Sequence, residues 1–520
     1  MEAENERAKG KMSETGFGSV EPMDKHNETL VENVHPVGWV NPKPASRYAM
    51  VVIGAGTAGL VTALGAAGLG ARVALVERHL LGGDCLNFGC VPSKAIIRSA
   101  RAAFNAHNLQ QFGLRMTSEP EVDFTAVMDR MRRLRTQVSY HDSVKRIKDA
   151  GVDLFFGQGR FLDKDTILAD GATLRFNKAV IATGARAVQP DIEGLAEAGF
   201  VTNETLFSMT ELPERLAIFG AGPLGCEMAQ AFSRLGSKVT IIEKLEHLLS
   251  REDPDAAQII AEAFERNGID VKVNTNVHRV SCQGSEKVLH ISTDGREETV
   301  AVDEILIGAG RAPNVEGLNL EDVRVDYDTH QGIVVDDHLR TTNRHIYAAG
   351  DACLKYKFTH TADASARIVI QNALFKGHKK FSDLVIPWCT YTDPAIAHVG
   401  VYPRQAKASG IEVDTFTRQF SDVDRAITDG DEEGFVKVHV LKGTDKIVGA
   451  TIVARDAGEM VNEITLAMVA DIGLKKLANV IHAYPTHAEA IRQVADAYNR
   501  TRLTPLVRKL LKAEMAVTRT

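Results

Sequence analysis

Cys85 and Cys90 stand five positions apart in the run Gly82-Gly83-Asp84-Cys85-Leu86-Asn87-Phe88-Gly89-Cys90-Val91-Pro92-Ser93-Lys94. This glycine-rich turn leads into Ala95-Ile96-Ile97-Arg98, which has no breaker and predicts a helix. A thiol at a helix N-terminus feels the positive end of the dipole, which lowers its pKa and favours the thiolate. Two thiols so close in sequence can close a small ring and open it again, which is redox chemistry. The same residues could also be an inert buried pair or half of a metal site. A metal site would want further Cys or His at ligand spacing, and none follows.

The elements that must position such a pair lie just upstream. Val51-Val52-Ile53 predicts a short apolar strand entering Gly54-Ala55-Gly56-Thr57-Ala58-Gly59. An Ala-, Gly- and Leu-rich helix follows, then a second strand, Arg72-Val73-Ala74-Leu75-Val76, ending at Glu77. Strand, glycine turn, helix, strand and acid form the dinucleotide fingerprint in its full context. Gly54, Gly56 and Gly59 let the backbone approach a pyrophosphate at a helix N-terminus, and Glu77 can hydrogen-bond a ribose hydroxyl pair.

The fingerprint then repeats. Leu216-Ala217-Ile218-Phe219 predicts a strand, Gly220-Ala221-Gly222-Pro223-Leu224-Gly225 the turn, with a helix expected from Cys226. Val239-Thr240-Ile241-Ile242 ends at Glu243. First glycine and acid stand 23 positions apart in both units. Two dinucleotide sites in one chain imply two nucleotides handing electrons between them.

Length and composition are compatible with this. A chain of 520 residues, 44% hydrophobic, has room for three or four domains. A net charge of −7 argues against nucleic acid as a main partner. Six cysteines in so long a chain are not a disulfide scaffold, which points to a reducing, cytoplasmic setting. No apolar run reaches spanning length, and the N-terminus carries no signal-peptide core.

Gly-Gly-x-Cys-x4-Cys-Val-Pro-Ser-Lys after an N-terminal fingerprint resembles the flavin-dependent pyridine nucleotide–disulfide oxidoreductases, from about Arg47 to about Pro505. The resemblance implies an α/β fold with two Rossmann-like dinucleotide-binding domains, for FAD and NAD(P)H, and a C-terminal α+β dimerisation domain. The implied boundaries are an extension over 1–46, a flavin domain over 47–190 and 312–385, a nicotinamide domain over 191–311 and an interface domain over 386–520. Cys90 matches the thiol beside the flavin and Cys85 the exchange thiol. Lys94 matches the lysine that pairs with a glutamate, here Glu227, beside the flavin. Thr183-Gly184 matches the turn leaving the flavin domain, Gly310-Arg311 the return from the nicotinamide domain, and Gly350-Asp351 the second flavin signature. Asp351 is then expected to accept a hydrogen bond from the ribitol chain, with a helix from Thr361 stabilising negative charge on the flavin. Glu243 favours a free ribose 2′-hydroxyl, hence NADH over NADPH, although Lys244 beside it could partly offset a phosphate. Pro223 stands where the family often carries an aromatic gate.

Near the C-terminus the disulfide reductases carry His-Pro-Thr-x-x-Glu, whose histidine serves the partner subunit's thiols in a homodimer with a composite active site. Here the run is Tyr484-Pro485-Thr486-His487-Ala488-Glu489, with Glu489 at the glutamate position. The mercuric reductase branch also places tyrosine here, and Ala229-Gln230-Ala231-Phe232-Ser233-Arg234-Leu235-Gly236 resembles that branch. That branch also ends in a vicinal cysteine pair, whereas this sequence ends Ala516-Val517-Thr518-Arg519-Thr520. The expected acceptor is therefore a thiophilic metal ion such as Hg(II) or a disulfide, with no resident metal. Other readings are a dihydrolipoamide dehydrogenase-like enzyme, a flavin donor to quinones that bypasses the thiols, and a redox-sensing binding protein.

Three further expectations concern the periphery. The first part of the extension reads as disordered, with Val37-Gly38-Trp39-Val40 docked on the body. Arg130, Arg132, Arg133, Arg135 and Lys145 read as a solvated helix face. Leu503, Leu506, Val507, Leu510 and Leu511 with Arg508, Lys509 and Lys512 read as a basic amphipathic helix that packs on the dimer or touches an anionic membrane.

Overall fold

The structure, a computed structural model, describes residues 20–115, 117–118 and 120–518. The stretch expected to be disordered lies largely in residues 1–19, outside the described ones. Two compact units make up the chain. One runs to Lys244 and resumes over Gly268–Leu384; the other joins Leu245–Asn267 to the chain from Val385 onward.

In the first unit, the strand Tyr48–Ile53 pairs in parallel with Val73–Glu77 on one side and Ala172–Ile181 on the other. Met50, Val51 and Val52 have no exposure at all, so both faces of the strand are covered, as a continuous apolar run requires. The long strand Ala172–Ile181 changes character halfway. Its first half alternates buried with exposed residues and pairs antiparallel with Thr166–Ala169. Its last three residues are all buried and lie between Tyr48–Ile53 and Ile346–Ala348, both parallel to it. The second fingerprint builds its own parallel sheet, in the order Asp270–Lys272, Lys238–Ile242, Arg215–Phe219, Glu304–Ile307.

The glycine turns are tight for the same reason in both halves. A Cβ on Gly59 would fall 1.7 Å from the Gly54 carbonyl oxygen, and one on Gly225 would fall 2.1 Å from that of Gly220. The third glycine therefore lets each helix sit down on its own turn. The second helix is Pro223–Leu235, starting three residues before the expected Cys226. Proline suits a first helical position because its missing N–H would have no partner there.

The arginine-rich helix is Phe124–Ser139, and it is not a solvated face throughout. Arg132 is 5% and Arg135 1% exposed. What covers them is a helix the sequence reading did not assign, Lys25–Val34, capped by the Asp24 carboxylate accepting from the His26 and Asn27 amides. Leu30 and Val34 on this helix are fully buried. Trp39 also docks, edge-on to Phe156 and beneath the Lys148 ammonium, while Val37 and Val40 stay exposed.

The second unit is a five-stranded antiparallel sheet in the order Pro387–Thr390, Ala395–Gly400, Ile447–Ala454, Phe435–Leu441, Val413–Gln419. The helices Ala457–Val469 and Glu489–Thr501 contribute Val461, Ile464, Ile491 and Val494 to its core. The Leu245–Asn267 segment is held by polar anchors. Glu252 accepts from the Trp388 indole at 2.9 Å and from the Tyr402 hydroxyl, and Asp253 pairs with Lys437 at 3.5 Å. The terminal helix Pro505–Val517 has no buried residue, and its Leu506, Leu510 and Met515 are exposed. Among the described residues no helix is long and apolar enough to cross a membrane.

The glycine geometry separates two neighbours. A Cβ on Gly222 meets nothing within 4 Å, whereas on Gly225 it collides with backbone. Gly225→Ala should cost about 1–3 kcal/mol of overpacking strain, and Gly222→Ala should leave the urea midpoint of unfolding unchanged.

Candidate active site

The two thiols sit at the joint between two helices. Gly82, left-handed at φ 85°, precedes the short helix Gly83–Asn87, which carries Cys85. Gly89 precedes the helix Cys90–His107 and offers it no side-chain cap, so Cys90 occupies the first turn at the positive end of the dipole. Both thiols are unbridged; Cys85 is half-buried and Cys90 exposed.

Their environments push them apart. The neighbouring Cys85 thiol holds the Cys90 thiol well below its ordinary pKa against the desolvation of its sulfur by the surrounding chain, and Thr359 and the Lys94 charge act in the same direction although the residue keeps some surface. Cys85, as the donor of the hydrogen bond between them and partly buried, is pushed up. Thr359 is a residue the sequence reading missed. Its hydroxyl lies 3.3 Å from the Cys90 sulfur, and it opens the helix Thr359–Phe375, two residues before the expected Thr361. Lys94 lies on the Cys90 helix one turn later and donates to Glu227 at 2.7 Å. Glu227 is 5% exposed on the helix of the second fingerprint, so this pair ties the two dinucleotide halves together.

The turn that carries Cys85 is pressed against the first fingerprint. A Cβ on Gly83 would stand 2.6 Å from the Gly56 Cα. Asp84 anchors the other side, accepting from the Asn203 amide at 2.6 Å and pairing with Arg311 at 3.1 Å. Burial works against the Arg311 charge, and the Asp84 and Asp351 carboxylates more than offset it. Arg311 was expected from sequence; Asp84 and Asn203 were not singled out, because their meeting spans 119 residues.

A flavin dinucleotide fits the first fingerprint on three observations. The helix Thr57–Gly68 begins at Gly56 with no side-chain cap, leaving its amides for a pyrophosphate. Glu77 accepts from the Ala55 amide at 2.6 Å and the His79 amide at 2.8 Å, which fixes its carboxylate at the strand end while burial pushes its pKa up. A carboxylate has about four acceptor positions, so ribose hydroxyls can still bind. The Asp351 carboxyl is half-buried, raised by burial, and accepts no hydrogen bond among the described residues. That is the state expected of an acceptor aimed at a hydroxylated chain. Gly350 stands at φ 70°, where a side chain is strained, and a Cβ would press on Ala58 at 3.0 Å. Where the chain leaves and re-enters this domain, Thr183 donates to the Asn314 carbonyl at 2.6 Å, and the Asn314 amide donates to the Gly184 carbonyl at 2.9 Å. The strands Ala185–Ala187 and Arg311–Pro313, which flank Gly184 and Gly310, pair beside this lacing.

The second fingerprint repeats the arrangement. Glu243 accepts from the Ala221 amide at 2.7 Å, the helix at Gly222 has no side-chain cap, and Gly222 leaves its surroundings open. A nicotinamide dinucleotide fits this cradle by the same logic.

In the second unit, Tyr484 is exposed and donates to Asp424 at 2.9 Å, a bond that pushes its pKa up. Glu489 accepts from Arg492 at 2.6 Å at the start of its helix. The neighbouring histidines are engaged elsewhere: His482 with Glu463 at 2.9 Å, and His487 with Asp456 at 3.3 Å.

Comparison with known proteins agrees with this architecture. Residues 48–366 match the pyridine nucleotide-disulphide oxidoreductase family and residues 386–495 its dimerisation domain. The chain is 34% identical over 453 residues to a mercuric reductase of Bacillus cereus, covering 87% of this chain and 72% of that protein. It is 31% identical to a dihydrolipoyl dehydrogenase of Haloferax volcanii, covering 86% and 95%. Among solved structures, the HOCl-induced flavoprotein disulfide reductase RclA from Escherichia coli superposes with a TM-score of 0.78 at 29% identity, over 86% of this chain and 99% of that one. Its Cu(II) complex matches with a TM-score of 0.77, over 85% and 98%. The family match over residues 48–366, the dimerisation-domain match over residues 386–495 and the likeness to these relatives make this chain a member of the pyridine nucleotide-disulphide oxidoreductase family, an FAD-dependent oxidoreductase that draws its electrons from NAD(P)H.

Proposed function

We propose that this enzyme passes electrons from NADH through Cys85 and Cys90 to a thiophilic metal ion of the mercuric class. The observation that carries the reading is Tyr484 at the family's histidine position, already hydrogen-bonded to Asp424. Reducing a disulfide expels a thiolate that needs a proton near neutral pH. Histidine titrates near 6.5, whereas tyrosine titrates near 10 and is pushed higher here, so Tyr484 holds its proton too tightly for that task. A soft metal ion binds thiolates directly and needs no such proton. The likeness to a mercuric reductase, and to a reductase solved with Cu(II), supports the same choice.

When bound, FAD supplies the two-electron relay between nicotinamide and thiols. Everything else belongs to the chain. Gly222 and Glu243 hold the nicotinamide dinucleotide. Lys94, kept in place by Glu227, puts a positive charge near Cys90 and favours its thiolate. Cys85 keeps the one proton left on the reduced pair and releases it to solvent as its sulfur binds the acceptor, after which the disulfide reforms. In the overall balance NADH loses a hydride, Hg(II) gains two electrons to become Hg(0), and one proton is released.

Three outcomes test this. Cys85→Ser should keep a long-wavelength thiolate-to-flavin absorbance without reductant, and Cys90→Ser should never show it. Because the Cys90 pKa is lowered, the band should persist above that pKa and fade as pH falls through it. Glu243→Ala should shift the ratio of kcat/KM toward NADPH, since the carboxylate that repels a 2′-phosphate is gone. In an acceptor panel with both nicotinamide cofactors, the wild type should turn over Hg(II) and reduce lipoamide and glutathione disulfide poorly. Tyr484→His should gain activity on at least one of those disulfides. Vigorous lipoamide turnover, undiminished in Tyr484→Phe, would return the enzyme to the ordinary disulfide reductases.

A further inference from the structure

The family match begins at residue 48, yet the helix Lys25–Val34 before it reaches the thiol-bearing turn. Arg135 is the link. One guanidinium nitrogen donates to the Asn87 carbonyl at 2.8 Å, and the other donates to the Asn27 side-chain oxygen at 2.8 Å. Asn87 closes the Cys85 helix, and its side chain donates to the Leu81 carbonyl at 3.0 Å and the Gly83 carbonyl at 2.8 Å. Arg135, Asn27 and Asn87 are all fully or almost fully buried. Burial pulls the Arg135 pKa down to about 10, so holding this charge inside costs stability that a purely apolar contact would not.

The N-terminal segment grips the same turn twice more. The Leu81 amide donates to the Val34 carbonyl at 3.2 Å, and the His35 ring pairs with the His79 carbonyl. It is fastened in turn along the Phe124–Ser139 helix: Asp24 to Arg132 at 2.6 Å, the His26 carbonyl to the Thr136 hydroxyl at 2.7 Å, and Asn33 to the Ser139 hydroxyl at 2.9 Å. On the turn itself the contacts run from His79 through Leu81 to Asn87, the last residue of the Cys85 helix, which Arg135 holds.

We propose that Asn27 and Arg135 are positioning residues of the redox centre, and that the N-terminal helix is a brace that sets the geometry of the Cys85–Cys90 pair. The mechanism is orientational. The placement of Cys85 against Cys90 depends on where the Gly83–Asn87 helix ends, because Cys90 follows three residues after Asn87. Arg135 fixes that end through the Asn87 carbonyl, and Asn27 fixes the plane of the guanidinium. The inference rests on the reading of these thiols as the redox pair.

The test uses the full-length flavoprotein with Asn27→Leu, Asn27→Asp and Asn27→Ser. Two readouts are followed. One is the pH profile of alkylation by iodoacetamide in the two-electron-reduced protein, resolved between Cys90 and Cys85 by mass spectrometry. The other is the thiolate–flavin absorbance of the two-electron-reduced protein. Diaphorase activity with ferricyanide, which bypasses the thiols, serves as the control. In Asn27→Leu, the Cys90 alkylation rate at pH 7 should fall about tenfold, its profile should move to higher pH, and the absorbance should weaken. Diaphorase turnover and flavin content should stay at wild-type levels. Asn27→Asp, which keeps an acceptor for Arg135, should restore both thiol readouts. Should Asn27→Leu fail to fold, the smaller Asn27→Ser carries the same expectation. A wild-type alkylation profile and absorbance in whichever of these two variants folds would overturn the brace, as would a parallel loss of thiol reactivity and diaphorase activity. Absence of the absorbance in the wild type itself would remove the redox reading of the thiols, and the brace with it.

Discussion

Backbone meets backbone where Gly83 rests on Gly56. No side chain fits there, since a Cβ would stand 2.6 Å from the opposing Cα. This contact brings the thiol-bearing turn up to the dinucleotide turn, and the remaining anchors serve to keep it there. Asp84 with Arg311 and Asn203 hold one side, the Lys94–Glu227 pair the second fingerprint, and Arg135 the back. In the proposed relay, such close quarters let thiols and cofactor exchange electrons without a solvent gap.

Parts of this were legible in the chain because they are local. The glycine turns, the acids 23 positions later and the two thiols are each complete within one run of sequence, and their residue types have few other uses in that pattern. The Lys94–Glu227 pair was legible only through family resemblance, for nothing in either segment names the other across 133 residues. Asn203, Thr359 and Asn27 carried no signal at all. A polar residue in a helical stretch looks the same whether it meets water or a buried partner far away. Arg135 was misread for that reason. Its helix has charges enough for a solvated face, but Lys25–Val34 covers one side of it, and the sequence of that covering helix is itself rich in polar residues.

The symmetry of the two fingerprints has a physical basis beyond their shared spacing. In each, the acid at the strand end accepts from the amide just after the first glycine, 22 positions back. The acid thus shapes the turn before any ribose arrives. A change at Glu77 or Glu243 acts first on its own glycine turn, so in the proposed nucleotide sites affinity and sugar discrimination are not separable properties.

The excursion of Leu245–Asn267 into the second unit has a consequence for synthesis on the ribosome. Glu252 and Asp253 emerge near the middle of the chain, but the groups that satisfy them, Trp388, Tyr402 and Lys437, follow 136, 150 and 184 residues later. Until then two carboxylates that end up buried must remain hydrated. The segment cannot settle when its neighbours in sequence do. The nascent chain therefore carries an unfinished stretch at least until Lys437 has been made.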